Sequence, residues 1–310
     1  MSGGGGRGRA SYFPDKPSRL QDLIRQTQEE TEQNRLDSNV NDYLQQLLVK
    51  LNERNPEKIR EYIDDIAGIL GEHQEIERFL FGGSVAKHTF VDGLSDVDAL
   101  VILDRRDLEG KTPSEVLHTF LVSLQGGLTH DEVAVIDKGN LATTVTYVDG
   151  TEIQLLPALR HGREISIADA SGNDWKTINP KAFQRELTKA NERLNHALVP
   201  TIKLAKSILY GLPEDIRPTG YHVESLSLEA TKGYRGPMTV KSLLLHVLTA
   251  SSTRVLHPIA DVTNQSRNVD AYLGKRGSDQ REKLSLALAG MSRRMNAATT
   301  VDRWKEIVET

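Results

Sequence analysis

The sequence contains no cysteine, which excludes disulfides and thiolate metal sites and suits a reducing compartment. It also lacks an excess of positive charge. A net charge of −4 and a pI near 6.2 exclude a protein that coats nucleic acid, so any such contact has to be local. No apolar run reaches the roughly 18 residues of a membrane span, and no charged-then-apolar leader opens the chain. Neither a membrane span nor a signal peptide is expected, and a cytoplasmic location follows. The phosphate-loop pattern G-x-x-x-x-G-K-[ST] is missing, because LGKRGS at 273–278 has no first glycine. The nine histidines form no HxxxH or HExxH spacing, so zinc is not expected, and His88, His196, His222 and His246 read as surface or satisfied core residues. No internal repeat is found.

What is present is a chain of 310 residues, long enough for one large domain or two closely packed ones. The opening MSGGGGRGRASY cannot bury anything and reads as a disordered Gly/Arg tail over 1–15, able to touch a polyanion. From Pro17 the pattern turns helical. Leu20, Leu23 and Ile24 mark one helix; Val40, Tyr43, Leu44, Leu47 and Leu48 mark a second, with Asp37 or Ser38 as its cap; a third starts at Pro56 and runs to about Leu70. DVDALVIL, DEVAVI, TTVTYV and TEIQLL are short β-branched runs, the last two joined by the hairpin signal Asp149-Gly150, with a helix from about Pro113 to Leu124 among them. After Asn179-Pro180 the pattern is helical almost to the end. The expected organisation is therefore N-terminal helices and a small mixed α/β core over 16–165, then a helical lobe over 166–310.

The stretch FGGSVAKHTFVDGLSDVDALVIL at 81–103 carries the chemistry. Alternate strand residues share a face, so Asp96 and Asp98 project together while Val97, Ala99 and Val101 pack the other way. Paired carboxylates repel, and a cation between them relieves that cost. Magnesium, which takes one or two carboxylates plus substrate phosphates, is the natural choice, with manganese its substitute. Gly83 and Ser84, followed by a short helix over SVAKHTF, supply a backbone that a phosphate can approach closely. The same residues have a bland reading, in which Asp-x-Asp ends a solvated strand and Gly-Gly-Ser is a turn. Their spacing in one stretch favours a nucleotide triphosphate site.

That combination resembles the signature of the DNA polymerase β-like nucleotidyltransferases, and the resemblance extends over residues 38–310. It is similar to the bacterial cyclic GMP-AMP synthase/DncV-like nucleotidyltransferases (CD-NTases) of CBASS antiphage systems. The implied fold is α/β (α+β): a polymerase β-like core with a mixed sheet, and a helical second lobe of the oligoadenylate synthase and poly(A) polymerase type. The implied site uses Asp96 and Asp98 to hold Mg2+ or Mn2+, and Gly83 and Ser84 to meet the triphosphate. Lys203 and Lys206 of LVPTIKLAKSIL are the implied phosphate contacts, and Tyr221 of GYHVESLSLEA is the implied base-stacking residue. Where the superfamily commonly has a third catalytic aspartate this chain has Gln154, which can orient a hydroxyl but cannot act as a base. Glu152, two residues earlier, is either a substitute or an exposed strand-end residue, and Glu224 pairs structurally with a lysine of the neighbouring helix. The segment DVTNQSRNVDAYL resembles one found late in bacterial members. The implied activity is template-independent synthesis of a cyclic di- or trinucleotide second messenger from nucleoside triphosphates, with release of pyrophosphate. The implied partners are a downstream effector and an activating protein or nucleic acid, with no membrane. Two alternatives stand beside it: an RNA-tailing enzyme of the CCA-adding or poly(A) type, suggested by PTGYHVESL, and a nucleotide-binding regulatory protein, suggested by Gln154.

Overall fold

The computed structural model describes residues 19–52, 56–72, 76–91, 94, 96–103, 110–128, 131–162, 164–169 and 171–309. The N-terminal Gly/Arg segment, expected to be disordered, lies outside the described residues. Helix α1 runs through Arg19–Lys50 and α2 through Pro56–Gly71. The two N-terminal helices expected from the apolar pattern are thus one helix of 32 residues. No glycine or proline interrupts it, and Asp37, in place of capping a second helix, pairs with Lys241 from the middle of the first. Val40, Leu44 and Leu48 are buried, while Leu20, Leu23 and Ile24 on the earlier turns stay exposed.

A single mixed sheet follows. Its strands are β1 Ile76–Phe81, β2 Val97–Leu103, β3 Val133–Lys138, β4 Thr143–Tyr147, β5 Glu152–His161, β6 Glu164–Ala168 and β7 Trp175–Ile178, with the short α3 Gly83–Ala86 between β1 and β2 and α4 Pro113–Gly127 between β2 and β3. The order is β1-β2-β5-β4-β3, with β6 pairing β5 and β7 pairing β6. Among the described strands only β2 and β5 run parallel, and they stay in register from Val97↔Ile153 to Leu103↔Leu159. On its other edge β5 pairs β4 through residues 152–155 and β6 through 158–161. Buried on both faces from Ala99 to Leu103, β2 reads there as an unbroken apolar run, as a parallel strand should. Val97, Ala99, Val101 and Leu103 join α2 and α4 in one core; Leu100 and Ile102 join Ala158, Ile165, Ile167 and Ile178 in another. Asp96 and Asp98 belong by register to this second face. Thr112 and Glu115 form a capping box at the start of α4, with Pro113 in its first turn.

The helical half comprises α5 Pro180–Arg193, α6 Leu198–Tyr210, α7 Gly220–Ala230, α8 Val240–Arg254, a 3-10 turn Ala271–Leu273, α9 Asp279–Ala297 and α10 Val301–Val308. Its core gathers Leu204, Ile208, Leu226, Leu244, Leu248, Leu284, Leu288 and Trp304, and the buried residues of α1 pack into it rather than onto the sheet. Among the described residues no helix is long and apolar enough to cross a membrane.

Candidate active site

The parallel register of β2 and β5 sets Asp98 directly beside Gln154, and paired residues of neighbouring strands share a face. The Gln154 amide donates to Asp96 Oδ2 at 2.5 Å, so the glutamine at the expected third position is bound to the carboxylate pair. Glu152 faces Asp96 as well. Burial first, then the charge and hydrogen bond of Glu152 and the charge of Asp98, push the Asp96 carboxyl up to about 6. Glu152 is only half-buried but stands within this cluster, which corrects the reading of it as merely an exposed strand-end residue. Burial also raises the Asp98 carboxyl, and Glu224 adds to the rise, while Lys87, Lys206 and the Ser84 amide oppose it.

The glycine loop packs on this pair. The Gly82 N–H donates to the Asp98 carbonyl at 2.8 Å. Gly83 sits at φ +49°, and a Cβ there would lie 1.5 Å from Asp98 Oδ2. Only glycine lets the loop and the carboxylate share that space. Thr89 N–H closes the turn on the Ser84 carbonyl at 3.0 Å. Ser84 Oγ is buried and has no hydrogen-bond partner among the described residues. A buried hydroxyl left unpaired is costly, and a ligand oxygen would satisfy it. Gly83→Ala is therefore expected to displace the Asp98 carboxylate and lower turnover by about 100-fold, the scale of a misplacement of about 1 Å. Steady-state kinetics beside a thermal melt check this: the fold should persist, and an unimpaired Gly83→Ala enzyme would contradict the packing.

The helical half reaches the loop through a buried ionic cluster. Lys206 on α6 donates to Glu224 Oε1 on α7 at 2.8 Å and to the Thr89 carbonyl at 3.0 Å. Thr89 Oγ1 donates to Glu224, and Lys87, just past α3, forms an ion pair with the same carboxylate. Burial alone would raise the Glu224 carboxyl, but Lys87 and Lys206 more than reverse it and hold it ionised. Glu224 thus pairs with a lysine of the neighbouring helix, as the sequence reading expected. Lys206 is held in place by that contact, and Lys203, one turn earlier, bonds the Asn52 side chain just past α1. Tyr221 donates to Asp261 Oδ1 at 2.8 Å, its ring meets Phe183 edge-on at 5.0 Å, and the Lys87 ammonium lies 4.9 Å from its centroid. Asp261 also accepts from Thr263 and Ser266, so DVTNQSRNVDAYL forms the turn that pins Tyr221.

Sequence reasoning missed Lys87, Thr89 and Asp261. Lys87 and Thr89 lie inside the glycine-to-aspartate spacing, where a cation and a hydroxyl three and five residues after Ser84 were the available signal. Asp261 meets Tyr221 across 40 residues, which no local pattern announces. Of the histidines, His222 is buried, its Nδ1 2.7 Å from the Tyr272 hydroxyl, and His246 Nε2 lies 2.9 Å from the Ala230 carbonyl. No group of three or more His, Asp or Glu among the described residues is arranged to hold a metal ion. The two aspartates remain, with raised carboxyls, a glycine cradle and an orphan serine hydroxyl. This donor set fits a hard divalent cation completed by substrate phosphates.

Residues 35–191, just over half of the chain, match the family described as the Second Messenger Oligonucleotide or Dinucleotide Synthetase domain. No curated protein matches the sequence. Among solved structures, the E. coli MS115-1 CdnC in complex with HORMA-deltaN is similar with a TM-score of 0.61 at 15% identity, over 84% of this chain and 92% of that one. The Bradyrhizobium diazoefficiens CD-NTase CdnG in complex with GTP gives 0.59 at 16% identity, over 81% and 87%. The Vibrio cholerae DncV cyclic AMP-GMP synthase gives 0.60 at 10% identity, over 94% and 90%. At these identities the likeness is one of fold, and it bears out the nucleotidyltransferase core with a mixed sheet and helical lobe.

Proposed function

The chain belongs to the Second Messenger Oligonucleotide or Dinucleotide Synthetase family and is a nucleotidyltransferase, and from that premise we propose that it joins nucleoside triphosphates into a cyclic di- or trinucleotide. The observation that carries this reading is the packing of Gly83 and the unpartnered Ser84 hydroxyl against Asp98, beside Asp96.

In this reading Asp96 and Asp98 would hold Mg2+ or Mn2+, which when bound offsets the charge developing on the attacking and leaving oxygens. Ser84 Oγ donates to the triphosphate that Gly83 allows to approach. Lys206, close enough to act on the Asp98 charge, and Lys203 on the same face of α6 add positive potential against the phosphates. Tyr221, fixed by Asp261, offers its ring to the base. A ribose hydroxyl of a second nucleotide bonds to the α-phosphorus, the α–β bridging bond breaks, and pyrophosphate departs. Gln154 cannot take the hydroxyl proton; Glu152, on the same face beside Asp96, can. A second transfer within the linear intermediate closes the ring.

The product is proposed to act as a second messenger on an effector in cytoplasmic antiviral defence of the CBASS type. The HORMA complex of the E. coli protein supports a protein partner for this chain, and an activating role for such a partner is part of the proposal. Metal-dependent release of pyrophosphate from free nucleotides, with no polynucleotide acceptor, tests the reading. An absolute need for an RNA acceptor would turn it into an RNA-tailing enzyme.

One observation favours a second reading, a nucleotide-binding regulatory protein: the Gln154 amide occupies an oxygen of Asp96. Under the synthase reading, Gln154→Asp supplies a third carboxylate and is expected to maintain or raise turnover several-fold. If it kills turnover while Gln154→Ala does not, residue 154 is not the third catalytic position.

A further inference from the structure

Beside the phosphate loop lies a cavity of about 380 Å3 that the chemistry above does not use. Ala86, Lys87 and His88 line it from the loop, and Gln184, Asn191 and His196 line it from α5 and the turn into α6. None of Asp96, Asp98, Glu152 and Gln154 is among its lining residues. Among the described residues four other than glycine take a left-handed backbone: His88, Asn195, His196 and Asn264, at φ between 51° and 64°. Two of them line this cavity and a third directly precedes His196. Such residues are uncommon, and strained backbone gathers at ligand sites. A tight reversal between two helices accounts for the bend at 195–196, but glycine would adopt either histidine's conformation more readily.

The lining has the chemistry of a base-binding site. The Gln184 amide donates to the Ala86 carbonyl at 2.8 Å, which leaves its own oxygen to accept. Asn191 Oδ1 accepts from the Val199 N–H at 3.0 Å, and its NH2 group, 3.5 Å from His196 Nδ1, is left to donate. An acceptor and a donor together match the amino group and ring nitrogen of adenine. The two imidazoles offer faces for stacking, and Leu187, Val199 and Pro200 add an apolar wall. Charge disfavours a phosphate here, because the Lys87 ammonium is paired with Glu224 and Glu192 adds a carboxylate to the lining. The volume falls within the range of small-molecule sites.

We propose that this cavity binds an adenine nucleoside, recognised by its base, and that its occupancy strengthens triphosphate binding at the neighbouring loop. The ligand would join α5 to the loop alongside the Gln184 bond to Ala86, and so hold the arrangement in which Gly83 packs on Asp98. A loop already ordered by one ligand loses less freedom on binding the next. The coupling rests on the synthase reading of the loop; the site itself does not.

The probe is 8-azidoadenosine, photolysed on the full chain, with labelled peptides mapped by mass and adenosine as competitor. Label that adenosine suppresses is expected on the peptides carrying His88 or residues 184–200. No label, label that adenosine does not suppress, or label confined to other peptides, such as that of Tyr221, overturns the site. His88→Gly with His196→Gly removes both imidazoles where the backbone favours glycine. That variant should melt no lower than the wild type and lose at least fivefold of the suppressible label; full labelling overturns the site, and the wild-type map decides it if the variant does not fold. For the coupling, inorganic tripolyphosphate with Mg2+ is titrated by calorimetry, since it meets the loop without a base. Adenosine is expected to tighten its binding about fivefold, and unchanged or weaker binding overturns the coupling. A wild-type chain that binds no tripolyphosphate overturns the functional reading, while the labelling map still decides the site.

Discussion

The double substitution Asp96→Asn with Asp98→Asn is expected to reduce nucleotide transfer by about a thousandfold or more while leaving the fold as stable as before or more so. The kinetic loss follows because a cation held at the pair contributes several kcal/mol to the transferring phosphoryl group, and each 1.36 kcal/mol is about tenfold in rate. The stability argument runs the other way. Burial, Glu152 and Asp98 raise the Asp96 carboxyl from 3.8 to about 6. A carboxyl raised in the folded state binds its proton more tightly there than in the unfolded chain. Its favourable contribution is complete below about 4 and is lost as pH rises through about 6. At pH 7.5 the ionised, metal-free pair therefore costs stability, and asparagine removes that cost. Thermal melts at pH 5 and pH 7.5, with and without Mn2+, check both halves. The wild type should gain stability from Mn2+ at pH 7.5, and the variant should not. A variant that keeps its turnover would refute the metal assignment.

Glu224→Ala is expected to cost about 3 to 5 kcal/mol of folding stability, the scale found when one partner of a buried ion pair is removed. Glu224 is 1% exposed and answers two lysines at once. Its removal deprives Lys206 and Lys87 of their ion-pair partner, leaving Asp98 as the remaining negative charge acting on Lys206 and Lys87 against the rings of Phe183 and Tyr221. The Thr89 hydroxyl loses its acceptor too, so the turn after Ser84 loosens from α7. Urea unfolding of the variant measures the loss. A change below about 1 kcal/mol would mean that the cluster is not ionised as described. Nucleotide affinity should fall with stability here, in contrast to the aspartate pair, where activity and stability part.

These two outcomes depend on features of unequal visibility in the sequence. The carboxylate pair was legible because a strand repeats every two residues, and the apolar run VDALVIL assigns Asp96 and Asp98 to one face without further information. The glycine loop was legible from its spacing to that pair, and the hairpin from Asp149-Gly150, where Gly150 takes φ +85°. Prolines announced the starts of α2, α4 and α5. The strands β1, β6 and β7 escaped notice. The first has a register irregularity between Ile76 and Arg78 that breaks its alternation, and the last two span only five and four residues. Helix α1 was divided in two because its apolar positions change face along its length; the first set stays exposed, and only the second meets the helical core. The partners of Lys87, Lys206 and Lys203 were the hardest to foresee. Glu224 could be matched to a lysine of the neighbouring helix, but its bond to Thr89 spans 135 residues and that of Lys203 to Asn52 spans 151. Such contacts follow from how the segment after α3 meets α7 and the end of α1 meets α6, and no periodicity within one element encodes that.

The most direct test of the account is to incubate the purified chain with the four ribonucleoside triphosphates and Mg2+ or Mn2+, digest with phosphatase, and identify what survives by mass. The account predicts a phosphatase-resistant cyclic oligonucleotide that disappears in the Asp96→Asn, Asp98→Asn variant. A resistant product that persists in that variant, or tight nucleotide binding without any product even when an activating partner is supplied, would contradict it.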